Sequence, residues 1–274
     1  MKNILVPVDF SPASDNALLF ASFLAKRLAW NIHILNGFHL PNPMVTLPIE
    51  LVITLDELKS DSDSALKKLA ADASAKSGLS IEQYHIESRN GGTVHEIVDY
   101  ARYIHASLVV MGMKPKNNYR EFITGSASTD LIRKSGPPVL LVPSESNYQN
   151  IEKITFATDG SPLPSADQME LFRMLTDTYS CEVEICHISS SENTEHRNEV
   201  ITKLEGGFMG IPHSYVFPIA SDINEGLEKV IKSNGSQLVA ITAHPHNWIT
   251  RMSGNDHSRS MAFETTTPLF VMHA

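Results

Sequence analysis

Cysteine is scarce in this chain: there are two, Cys181 and Cys186. Both fall in one predicted strand with their side chains on opposite faces, so they do not pair, and a reducing cytoplasm is the expected setting. Long hydrophobic runs are absent. No apolar stretch approaches the roughly 20 residues needed to cross a bilayer, which excludes a membrane partner of that kind. The opening MKNILVPVDF carries one lysine and a short apolar run cut off by Asp9, and reads as a strand rather than a signal peptide. Positive charge is also in short supply. With 22 Lys and Arg against 31 Asp and Glu the net charge is −9, which argues against a nucleic-acid backbone as the main partner. The signatures of common hydrolases and phosphotransferases are missing too. There is no Gly-x-Ser-x-Gly elbow, no Gly-x4-Gly-Lys-[Ser/Thr] loop and no Cys/His pair placed for nucleophilic attack.

What is present is a duplication. Thr242-Ala243-His244-Pro245 follows Gly112-Met113-Lys114-Pro115 at a distance of 130 residues, and Asn255-Asp256 follows Gly125-Ser126 at the same distance. A repeat of that length means duplicated domains rather than a solenoid, and 274 residues suffice for two cores.

The order of patterns supports this. Buried-strand runs at 4–8, 31–38, 107–112 and 138–143, with an alternating run at 81–87, are separated by helical patterns near 12–28, 54–77, 93–105 and 125–135. A polar segment, 144–150, reads as a linker. The order then recurs, with strands at 153–158, 181–188, 213–219, 236–242 and 268–272 and helices near 164–179, 192–206, 221–233 and 256–265. The expected fold is α/β, two tandem doubly wound domains at 1–143 and 151–274. Each is a five-stranded, mainly parallel sheet with helices on both faces. The pairs Gly91-Gly92 and Gly206-Gly207 read as chain turns.

In such sheets ligands sit beyond the carboxyl ends of the strands, where the strand order reverses. In the first copy that rule points to Asp9 and Ser11 after the first strand, Phe38 after the second, and Met111 and Gly112 at the fourth. Asp9 and Ser11 also have a plain structural use as caps of the helix that begins at Pro12. Phe38 and Met111 could cover a flat ligand or belong to the core.

The run Val6-Pro7-Val8-Asp9-Phe10-Ser11, the segment Val109-Val110-Met111-Gly112, Gly125-Ser126 and the strand PVLLVP resemble the universal stress protein (UspA) family, in its tandem two-domain form. The resemblance implies an adenine nucleotide alpha hydrolase-like fold, a stress-response role and, in the first copy, binding of ATP, with Mg²⁺ as its companion ion. ATP-binding members carry Gly-x2-Gly-x9-Gly-[Ser/Thr]; here the first copy reads Gly112-x2-Pro115-x9-Gly125-Ser126. Pro115 removes one backbone donor. Gly125 and Ser126 would open a helix whose free N–H groups face a polyphosphate. The resemblance places a nucleotide against Pro7, Val8, Asp9, Phe38, Met111, Gly112, Lys114, Gly125, Ser126, Ala127 and Ser128, with no catalytic residue; a slow ATPase is the only enzymatic alternative.

The second copy keeps an acid, Asp159, but reads Thr242-x2-Pro245-x9-Asn255-Asp256, with a carboxylate where phosphate would sit. It is expected to be degenerate or repurposed. His244, His246, Asp256 and His257, with Asp159, contain metal-capable side chains, though His-x-His across a proline fixes no ligand geometry; Trp248 and Ile249 would plug the vacated pocket or touch the other domain. The resemblance further implies that the last strand of each copy pairs with the other, making one chain a pseudo-dimer, and a further homodimer is compatible with that arrangement. The competing reading is an interaction scaffold or small-ligand binder with both nucleotide sites degenerate.

Overall fold

The computed structural model describes residues 2–39, 54–91, 94–113, 126–243 and 266–273. Lys114, Pro115, Gly125, His244 to His257, and with them Trp248 and the helix expected near 256–265, lie outside the described residues.

Ten described strands form a single sheet. In chain order the first half runs β1 (Asn3–Val8), α1 (Pro12–Leu28), β2 (Asn31–Phe38), α2 (Leu55–Ser77), β3 (Tyr84–Asn90), α3 (Val94–Tyr103), β4 (Ala106–Met113), α4 (Ser126–Lys134) and β5 (Val139–Pro143). The second runs β6 (Lys153–Ala157), α5 (Ala166–Tyr179), β7 (Glu182–Cys186), α6 (Thr194–Phe208), β8 (His213–Val216), α7 (Ile223–Asn234), β9 (Leu238–Ala243) and β10 (Leu269–His273). Across the sheet the order is β3-β2-β1-β4-β5-β10-β9-β6-β7-β8. Every named pairing is parallel except β5 with β10, where Leu140 faces Phe270 and Val139 faces Val271. The fold class is thus α/β with a large, mostly parallel sheet.

Alternation along each strand feeds two layers, because successive side chains point to opposite faces. Ile4, Val6 and Val8 join Leu18 and Leu24 of α1, Leu66 of α2, Phe172 of α5 and Phe208 of α6 in one apolar layer. Leu5 and Val109 join Val98 of α3, Leu131 of α4 and Leu227 of α7 in the other. Both layers cross the β5–β10 seam without a break. Burial on both faces is why the central strands read as continuous apolar runs. The two cysteines end up as expected, Cys181 in one layer and Cys186 in the other, both reduced.

Two expectations need correction. The run 81–87 is not one strand: Ile81–Gln83 form a 3-10 turn and β3 starts at Tyr84. Ile81 is 51% exposed, so its place in the alternation was fortuitous. Gly206 and Gly207 are not a turn but lie inside α6. A side chain at 207 would start 2.1 Å from Leu163 Cδ1, so tertiary contact overrides the weak helix propensity of glycine there. Segment 144–150 is held by contacts to both halves. Asn16 Nδ2 donates to Pro143 O and Ser146 O (3.0 and 2.7 Å), and the Tyr148 ring stacks on Phe23 while its hydroxyl meets that of Tyr179 at 2.7 Å.

Candidate functional site

The strand order reverses on either side of β1 and β6, so each half has one crevice at the carboxyl ends, between β1 and β4 and between β6 and β9. The two crevices are built differently.

At the first, β1 runs directly into α1. Phe10 takes a left-handed conformation (φ 58°), which lets the chain reverse into Ser11, the helix N-cap, and Pro12 at the first helical position. Ser11 Oγ accepts from Ser14 N at 3.4 Å, and the Asp9 carboxylate accepts from Ser11 N and Ser11 Oγ at 3.2 and 2.5 Å. Asp9 therefore braces the cap rather than capping the helix itself. This tight entry brings the first turn of α1 against β4. A β-carbon on Gly112 would lie 2.3 Å from Ala13 O and 2.8 Å from Ser14 N, so only glycine fits beneath the helix.

Of the residues expected around a nucleotide, Pro7, Val8 and Asp9 sit at the end of β1, and Met111 and Gly112 at the neighbouring end of β4. Ser128, in the first turn of α4, directs its hydroxyl at Met111 Sδ (3.9 Å). Ser126 and Ala127 open α4. Phe38 closes β2, one strand further out, where its carbonyl accepts from Gly91 N at 2.8 Å. Lys114 and Gly125 belong to the undescribed segment. Beneath this mouth lies a buried polar relay that no motif announces. Asn36 Nδ2 donates to Val8 O at 2.8 Å, Ser62 Oγ donates to Asn36 Oδ1 at 2.8 Å, and Ser62 and Ser88 hydroxyls meet at 2.7 Å. It ties the ends of β1, β2 and β3 to α2, where an unpaired amide would be costly.

At the second crevice, Asp159 again accepts from the backbone two residues on, Ser161 N at 2.9 Å. Here Pro162, Leu163 and Pro164 intervene before α5 begins at Ala166. Leu163 packs against α6 at Gly207. The gap lined by Phe156, Asp159, Pro162, Leu163 and Thr242 leaves no room for a water molecule. The later helix entry also explains the missing glycine: among the described residues no helix makes with β9 the close contact that α1 makes with β4, and Thr242 is accommodated where Gly112 is obligatory. Where Asn36 sits in the first half, the second has His187. Its Nδ1 meets Thr158 O at 3.0 Å and its Nε2 meets His196 Nε2 at 3.2 Å. Burial holds the His187 imidazole below its ordinary pKa, so it is neutral near pH 7. Neither histidine forms a sequence motif, but His187 directly follows a strand, and the strand-end rule applied to the second copy would have found it.

A model of the Universal stress protein family matches residues 1–143. Over 143 residues the chain is 31% identical to universal stress protein MJ0531 of Methanocaldococcus jannaschii, covering 52% of this chain and 81% of that one. It is 28% identical to universal stress protein YxiE of Bacillus subtilis, covering 51% of this chain and 97% of that one. Across nearly its whole length, 99% of this chain and 98% of the other, it superposes on a universal stress protein from Archaeoglobus fulgidus with a TM-score of 0.74 at 16% identity.

Proposed function

The chain belongs to the universal stress protein family, and from that premise we propose that it is a non-catalytic stress-response protein that binds ATP, with Mg²⁺, in its first half only. The observation that carries this reading is the contrast between the two switch-point crevices. The first has Asp9 at one lip, Met111 and Gly112 at the other, and the N-terminus of a nine-residue helix, α4, beside them. Free N–H groups and the positive dipole end there suit a polyphosphate. The second has Leu163 packed into the corresponding entry and a carboxylate, Asp256, at the sequence position of the phosphate contact.

The roles follow from chemistry. Asp9 would receive ribose or adenine donors, Met111 and Phe38 would offer apolar cover, and Gly125, Ser126, Ala127 and Ser128 would donate to phosphate, with Lys114 adding charge. Pro115 withholds one backbone donor, so the cradle relies on the α4 end. Any metal would ride on the nucleotide. We further propose that residues 1–143 and 151–274 are two stress-protein units joined by 144–150, and that the β5–β10 pairing makes the chain an intramolecular pseudo-dimer. Its acidic net charge fits no nucleic-acid role, and no described helix is long and apolar enough to cross a membrane.

Isothermal titration of ATP with Mg²⁺ into the intact protein tests the reading, with Gly125→Asp alongside. Binding at one site per chain that the substitution abolishes supports it. No heat at millimolar ATP, in folded and ligand-free protein, would replace it with an interaction scaffold whose two pockets are both retired.

A further inference from the structure

We propose that His187 and His196, at the carboxyl end of β7 and the first turn of α6, form a binding site for a divalent transition-metal ion such as zinc. The site is independent of the nucleotide reading and lies in the half that reading leaves without a ligand.

The geometry is that of a ligand pair. The two Nε2 atoms face each other at 3.2 Å. An ion placed at the usual 2.0–2.1 Å from each would see them at roughly 105°, close to the tetrahedral angle that zinc adopts. The outer nitrogens are arranged as ligating histidines need. His187 Nδ1 is held by Thr158 O at 3.0 Å, which places its hydrogen on Nδ1 and leaves the Nε2 lone pair pointing at His196. His196 has Glu199 beside its own Nδ1 at 3.8 Å, a carboxylate that favours a hydrogen there too. With both hydrogens on Nδ1, two lone pairs confront each other across the gap, and a cation resolves the repulsion. Without the ion, His196 donates from Nε2 to His187, so binding requires only a tautomer change.

The surroundings are compatible. His187 is buried (6% exposed) and His196 is partly open, so an ion has a fixed inner ligand and an approach from solvent. The Asp159 carboxylate acts on His187 favourably for a bound cation. The Arg197 guanidinium on the same helix is turned elsewhere, lying over the Phe217 ring at 5.5 Å and reaching Glu192 at 3.4 Å. Among the described residues no third His, Cys, Asp or Glu completes a cluster, so water fills the remaining positions. Imidazole pairs of this kind select zinc, nickel or copper(II) over magnesium and calcium, which prefer oxygen.

The first half supplies the right control. Asn36 makes, to Val8 O, the same strand-end hydrogen bond that His187 makes to Thr158 O. His187→Asn therefore keeps the anchor while removing the ligand, and His196→Ala removes the other ligand from a partly exposed helix position. Zinc chloride is titrated calorimetrically into the full-length protein and into both variants, with melting temperature and circular dichroism recorded for each. The expected result is that each variant weakens the tightest site of the wild type by about tenfold or more, and that the double variant is no worse than either single one. Nitrogen NMR of histidine-labelled protein should show both imidazoles shifting at the first equivalent of zinc. Wild-type affinity in a folded His196→Ala or His187→Asn, or a first equivalent that moves only other histidines, overturns the proposal.

Discussion

Gly112 shows how one residue serves both packing and a site. In the family motif it belongs to the nucleotide loop, yet here a single added carbon would meet the backbone of Ala13 and Ser14. The neighbour cannot give, because it is the first turn of a buried helix. Gly112→Ala is therefore expected to destabilise the protein by about 1–3 kcal/mol, the usual penalty of overpacking. Urea unfolding followed by circular dichroism checks this; an unchanged midpoint would mean that β4 and α1 do not meet as described. The same contact explains why part of the second motif is missing. Thr242 is legible in the sequence as a lost glycine, but its physical reason, the delayed start of α5, needs the position of Leu163. Asn36 was not legible because it matches no motif, and His187 was legible only as a residue that follows a strand; the importance of each comes from which strand carbonyl it can reach.

At the scale of elements, β2 and β3 carry a paired feature that pH should expose. His33 and His85 are partners across the two strands, with ring centroids 4.6 Å apart, and His33 Nδ1 lies 3.3 Å from the Tyr100 hydroxyl. Burial, helped by His85, pushes His33 down to about 4 from an ordinary 6.5. Between those values the unfolded chain binds more protons than the folded one, so stability falls as pH drops through that window. His187 and His273, lowered by burial as well, act in the same direction. The melting temperature should decline from pH 7 to pH 4.5, and more shallowly in His33→Gln; parallel profiles would remove His33 from the cause. Element type was largely readable here, because parallel strands buried on both faces must be apolar throughout and the helices carry clear caps. Thr54 and Glu57, for example, form a reciprocal capping box at the start of α2. The failures came where local preference was outvoted, at Ile81 and at the two glycines of α6.

For the whole molecule, the decisive feature is the antiparallel junction of β5 and β10. It joins ten strands into one sheet and makes both apolar layers continuous from one half to the other. Phe270 sits at that junction, 1% exposed, stacked with Phe172 at 6.3 Å and opposite Leu140. Phe270→Ala should cost about 3–5 kcal/mol, and the loss should be felt in the first half as well as the second. Trp30, buried in the first half, reports this by fluorescence once Trp248, the other tryptophan, is replaced by Phe. A Trp30 transition that stays at its original midpoint would mean that the halves unfold separately. The recurring order of strand and helix patterns was plain in the sequence. That the linker is anchored through Tyr148 was not, because seven polar-looking residues give no hint of where one aromatic ring will land.

The central claim is that duplication left one nucleotide site and closed the other. Counting ATP bound per chain at saturation, by equilibrium dialysis with Mg²⁺, for the wild type, Asp9→Ala and Asp159→Ala, tests it most directly. The expected result is one nucleotide per wild-type chain, binding weakened in Asp9→Ala, and one nucleotide retained by Asp159→Ala. Two nucleotides per chain, or binding lost in Asp159→Ala and kept in Asp9→Ala, would contradict it.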